Sequence, residues 1–110
     1  MERLVKGDVV VTSFPFSDLT SAIKRPALVL ANLDERDIIL CQITKRERLD
    51  KNKIELSFKD MKSGNLKVRS FIRASKLFTL DKSLILYKMG VLKEDKLKEV
   101  VTVLNKIFNQ

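Results

Sequence analysis

The chain has 110 residues, 45% of them hydrophobic, which suits one domain spanning 1–110 with a modest core and excludes a disordered chain. Lys and Arg number 22 against 14 Asp and Glu, for a net charge of +8 with no histidine and one cysteine. That composition excludes an internal disulfide framework, histidine-dependent nucleophiles and an ordinary zinc site, and leaves acid–base work to carboxylates, hydroxyls, lysine or water.

In chain order, Lys6-Gly7-Asp8 reads as a turn that delivers the β-branched strand Val9-Val10-Val11-Thr12. Residues 15–24 read as a loop. Pro26 opens the next strand and biases Arg25 toward extended geometry. Segments 27–31 and 38–44 read as a hairpin about the polar turn 32–37, with Cys41 a buried thiol in the apolar run IILCQI. Residues 45–53 form a charged loop. Segment 54–58 alternates as a half-buried strand with Ile54, Leu56 and Phe58 inward, and 60–65 reads as a turn. Over 66–75 the alternation sets Lys67, Arg69, Phe71 and Arg73 on one strand face, and 84–87 is a further short strand. Leu97, Val100, Val101, Leu104, Ile107 and Phe108 then make one helical stripe, with Glu94 and Asp95 at its start and Lys106 near its end, as the helix dipole prefers. The expected fold is mainly β, in the α+β sense: a small, strongly bent antiparallel sheet or barrel with a C-terminal helix packed on it. No apolar run reaches the roughly 18 residues of a membrane span, and MERLVKGD lacks a signal-peptide core, so the expectation is a cytoplasmic protein without membrane contact.

The charge is uneven. Residues 1–55 carry 10 Lys/Arg and 9 Asp/Glu, and residues 56–110 carry 12 and 5, so the second half holds +7 of the total. A basic half points to a polyanion: nucleic acid or an acidic protein segment. Three cations interleaved with Phe71 have the composition of a groove that follows a phosphate backbone and stacks a base, although a solvated strand face has the same pattern. The hairpin sets the start of its first strand beside the end of its second, so Arg25 and Thr44 are expected neighbours, next to Lys45 and Arg46. A guanidinium fork and a hydroxyl beside a basic loop can hold a phosphate; a strand-end threonine with a purely structural role is the alternative. Asp18 suits a turn as well as it suits a catalytic base.

These stretches carry a resemblance. KGDVVVTSFPFSDLT followed by KRPALVL is similar to the opening of the MazF/PemK family, the toxin halves of toxin–antitoxin pairs. IILCQITKRER resembles the family strand that ends in a threonine, and KVRSFIRASKLFTLDKSL its strand and Thr-x-Asp-Lys turn. The resemblance implies an SH3-like barrel with a C-terminal helix, a homodimer, and a sequence-selective endoribonuclease that cuts single-stranded RNA without metal or other cofactor. The 2′-hydroxyl would attack its own phosphate, giving a 2′,3′-cyclic phosphate and a 5′-hydroxyl. It implies an acidic antitoxin as protein partner. Carried over by motif, Arg25 and Thr44 are catalytic and Arg73 acts at the scissile phosphate. Phe16, Ser17, Asp18, Lys24, Lys45, Arg46, Lys67, Arg69, Phe71 and Ser75 are candidates for RNA contact. Two positions depart from the family pattern: Ser75 stands where some members have aspartate, and Phe78 where many have arginine. The general base is left open between Asp18 and a water. A non-catalytic nucleic-acid binder and a gyrase-poisoning toxin of the same fold are the alternatives.

Overall fold

A computed structural model describes residues 3–14 and 23–110, with the side chain of Phe14 left aside. Seven strands occur among them: β1 (Asp8–Phe14), β2 (Ile23–Asn32), β3 (Asp37–Thr44), β4 (Lys53–Leu56), β5 (Met61–Gly64), β6 (Ser70–Asp81) and β7 (Ile85–Leu92). One helix, α1 (Glu94–Phe108), follows them. The strands form a single antiparallel sheet in the order β4-β6-β3-β2-β1-β7-β5, curled into a half-barrel, so the expected mainly β architecture with a terminal helix is what the chain adopts. Among the described residues no helix is long and apolar enough to cross a membrane.

The β-branched and aliphatic runs of β1, β2 and β3 place these strands at the middle of the sheet, where both faces are covered. Successive residues of a strand point to opposite faces. Val9, Leu28, Cys41 and Ile43 accordingly join the main core with Ile72, Leu92 and the α1 residues Val100 and Leu104. Val10, Ala27, Val29, Ile38 and Leu40 join a second cluster with Leu4, Leu80 and Ile85. The helical stripe behaves as its period requires at Val100 and Leu104, which are buried, but Phe108 at its end is exposed.

The second half of the chain departs from the expected boundaries. Segment 54–58 is not one strand: β4 stops at Leu56, and Phe58, expected inward, is 75% exposed in a 3₁₀ turn. Asp60 causes the break, because its carboxylate accepts the Ser57 N–H at 2.9 Å while its own N–H donates to the Ser57 carbonyl, which closes a turn in place of a ladder. The turn expected at 60–65 contains β5. There Gly64, at φ 90°, lies opposite Gly90 of β7, and a side chain on either glycine would run into the facing backbone. The short strand expected at 84–87 is preceded by a 3₁₀ turn (Lys82–Leu84) and extends to Leu92. β6 begins at Ser70, so Lys67 and Arg69 precede the strand rather than share a face of it.

Candidate functional site

The geometry of β2, β3 and β6 assembles the candidate site. Thr12 of β1 donates its hydroxyl to the Arg25 carbonyl at 3.1 Å and lies opposite Arg25 in the register, which fixes the backbone there. Pro26 pairs with Val11 on one side only, since the β2–β3 pairing begins at Ala27 opposite Gln42; a residue without an N–H suits that one-sided position. Continuing the register by two residues sets Arg25 against Thr44, as the hairpin argument expects. Thr44 in turn faces Phe71 of β6, and Gln42 faces Arg73. Residues directly opposite in an antiparallel pair project to the same face, so Arg25, Thr44, Phe71, Gln42 and Arg73 share one face of the sheet.

The two arginines differ in their partners. The Arg25 side chain is half-buried, and among the described residues no carboxylate pairs with it. Arg73 donates its Nε to Asp50 Oδ2 at 3.0 Å and a terminal nitrogen to Gln42 Oε1 at 3.4 Å. Burial alone would raise the Asp50 carboxyl, but the Asn52 N–H and the Arg73 guanidinium outweigh it and hold the group below the usual carboxylate range. The Thr44 hydroxyl is buried and accepts the Arg46 N–H at 3.1 Å, which ties the end of β3 to the basic loop. Phe71 does not offer a stacking face. Its ring is 4% exposed, with the Arg69 guanidinium 5.1 Å and the Lys53 ammonium 5.2 Å from its centroid. Arg69 also pairs with Glu55 at 2.5 Å.

On the other face of the sheet, to which Pro26 points, lies a groove of about 410 Å³ whose lining includes Pro26, Lys45, Lys67, Val68, Tyr87 and Lys88. Tyr87, 55% exposed, supplies the accessible aromatic that the strand pattern assigned to Phe71. Lys88 is engaged with buried Asp8 at 3.4 Å, a contact outside hydrogen-bond geometry that leaves Asp8 Oδ1 with charge pairing alone, while its Oδ2 accepts the Val5 N–H at 2.9 Å. Ending the strand at Tyr87 left Lys88 outside it; the signal was the apolar alternation continuing through Met89 and Val91.

Residues 5–108 match the family described as PemK-like, MazF-like toxin of type II toxin–antitoxin systems. The chain belongs to this family. Among solved structures it is similar to MazF from Deinococcus radiodurans, at 21% identity and TM-score 0.76 over all of both chains. The MazE–MazF complex from the same organism aligns at 20% identity and TM-score 0.75, over 100% of this chain and 99% of that one. An endoribonuclease from Mycobacterial species aligns at 15% identity and TM-score 0.74, over 98% of this chain and 93% of that one. No curated protein matches.

Within this MazF/PemK-like fold, the two departures have structural settings. Ser75 is exposed in β6 between Arg73, which pairs with Gln42, and Leu77, which pairs with Cys41; residues 74–76 thus form a bulge opposite a single step of β3. Phe78 is half-buried against the second apolar cluster, where an arginine would lie against hydrocarbon. Lys24, Lys45, Arg46, Lys67 and Arg69 are exposed. Phe16, Ser17 and Asp18 lie outside the described residues. Sequence reading also passed over Asp50, whose carboxylate occupies the Arg73 side of the site.

Proposed function

We propose that the chain is the toxin of a toxin–antitoxin pair and a sequence-selective, metal-independent endoribonuclease acting on single-stranded RNA. The observation that supports this reading is the half-buried Arg25, set by register against Thr44 and without a carboxylate partner among the described residues. RNA brings its own nucleophile, the 2′-hydroxyl, so the protein's task is to orient the strand and stabilise charge on the pentacoordinate phosphorus. Arg25 stays protonated and binds phosphate oxygens in a bidentate fork, which suits that charge. Thr44 can hold a phosphate oxygen or the 2′-hydroxyl. The names of the solved relatives, endoribonucleases and complexes with antitoxin, support the same reading.

The partner is an acidic segment that covers the basic groove, with affinity that falls as salt is added. The toxin acts as a homodimer that covers exposed aromatic residues such as Phe58 and Phe108; light scattering should give twice the 12.7 kDa chain mass. The deciding experiment is single-turnover cleavage of a long RNA in EDTA by wild type, Arg25→Ala, Arg25→Lys and Thr44→Val. Wild-type cleavage should persist in EDTA, and all three variants should be slow, lysine included because a point charge cannot reproduce the fork. Loss of wild-type cleavage in EDTA defeats the metal-independent mechanism. Binding of RNA without cleavage under any condition favours a non-catalytic binder.

A further inference from the structure

We propose that Arg73 serves the reaction as a positioning residue, not as a phosphate ligand: through Asp50 it latches loop 45–53 onto β6, and the latched loop sets the Thr44 hydroxyl. The inference rests on the ribonuclease reading for its kinetic consequence, though the latch itself does not.

Four observations carry it. The Arg73 guanidinium already spends its Nε on Asp50 and a terminal nitrogen on Gln42. The pair is largely withdrawn from water, with side-chain exposures of 21% and 8%. A phosphate that displaced Asp50 would leave a buried carboxylate without its partner, which is strongly unfavourable. Second, of residues 45–51 only Asp50 is not exposed, so it is the one inward side chain of that stretch. Third, the stretch around it is braced: Asp50 accepts the Asn52 N–H at 2.9 Å on its side chain and the Lys53 N–H at 3.2 Å on its carbonyl, and the Lys53 ammonium donates to the Arg48 carbonyl at 2.9 Å and reaches Glu47 at 3.2 Å. A braced loop moves as a unit, so its one inward tie controls where all of it sits. Fourth, the root of the loop holds the Thr44 hydroxyl through the Arg46 N–H. Releasing Asp50 therefore disturbs the threonine without touching it. Lys45, Arg46, Arg48 and Lys51, the exposed cations of the loop, are held in position for RNA by the same tie.

The test uses the full chain as wild type, Asp50→Asn, Arg73→Gln and the double variant, with two readouts. The loop offers trypsin four exposed sites, Lys45, Arg46, Arg48 and Lys51. Cleavage there, mapped by mass spectrometry, should be about tenfold or more faster in each single variant and no faster in the double, because both remove the same tie. RNA cleavage should fall to similar extents in both single variants, mainly in kcat. Asp50→Asn should add little to the loss already caused by Thr44→Val. Arg73→Lys, which can still reach Asp50, should restore part of the rate. The opposite pattern overturns the latch: if Arg73 is a phosphate ligand, Arg73→Gln slows cleavage of RNA while Asp50→Asn, which frees the guanidinium, does not. Equal tryptic rates in all four proteins also overturn it. If Arg73→Gln does not fold, Asp50→Asn decides alone, since the amide keeps the shape of the site. Wild-type protein that cuts no RNA counts against the ribonuclease reading, and the tryptic comparison then decides the latch.

Discussion

Arg25 and Arg73 stand on one face of one sheet, with β3 between their strands, and yet they sit in opposite electrostatic settings. Arg73 lies where β6 is paired on both sides, with Gln42 on one flank and Lys53 on the other. A guanidinium enclosed there keeps its charge only with a counter-ion, and Asp50 provides it. Arg25 lies two residues before Ala27, where the pairing of β2 with β3 begins, and among the described residues no carboxylate meets it. The difference teaches that position along a strand, more than residue type, separates a structural cation from one free to meet an anion.

The largest expected effect separates the two by what each loses. Arg25→Ala should cut the single-turnover rate by about 10²–10³, or about 2.7–4 kcal/mol of transition-state stabilisation, the scale of one oxyanion donor. Its unfolding free energy should change by no more than about 0.5 kcal/mol, because among the described residues no charged partner is stranded. Urea unfolding and RNA kinetics on the same preparation measure both, and a large stability loss in Arg25→Ala would erase the contrast. Next, Arg73→Ala should destabilise the fold by about 1–3 kcal/mol, since it leaves the buried Asp50 oxygen unsatisfied.

A smaller effect follows in acid. The Asp50 carboxyl is held below its ordinary value in the folded chain, with Arg73 and Lys53 as the cations facing it. A depressed folded value means that its contribution to stability is complete above the unfolded value of about 3.9 and is lost as pH falls through the folded one. The stability gap between wild type and Asp50→Asn, followed by thermal unfolding, should hold above about pH 5 and close below about pH 4. A gap that widens in acid would mean that the pair is not ionised as described. The smallest effect concerns Cys41, which stands at the step in β3 where the register to β6 shifts. Burial pushes its thiol up to about 12, so a thiol reagent should leave it unmodified at neutral pH. Faster labelling in Arg73→Ala than in Arg25→Ala would locate the loosened seam between β3 and β6.

The parts of the molecule that were legible in the sequence share a cause. β1, β2 and β3 are β-branched runs with a one-step hairpin between two of them, so both their existence and the Arg25–Thr44 juxtaposition follow from counting residues. Lys67 and Arg69 were misplaced because the alternation from Leu66 to Ile72 runs unbroken through a bend, where the Ser70 hydroxyl turns back to the Val68 carbonyl at 2.9 Å. β5 is a four-residue strand of Met, Lys, Ser and Gly whose only strand credential is its pairing with β7. Phe71 alternates with its neighbours as an exposed residue would; its burial comes from cations on Arg69 and Lys53, the second of which belongs to another strand. Asp50 is one charge among many in a run without period, and its importance appears only when a residue 23 positions away folds against it.

The place of β1 also sets a timetable for synthesis. In the finished sheet β1 lies between β2 and β7, and its partners in β7 follow it by more than 70 residues, as Thr12 facing Ile85 shows. At roughly 5–20 residues per second, a ribosome leaves that side of β1 unpaired for roughly 4–15 s. The hairpin that carries Arg25 and Thr44 is made early in that interval, whereas β6, with Arg73, and the strand that closes the sheet arrive late. A nascent chain therefore holds the pieces of its site for seconds before it can hold them still.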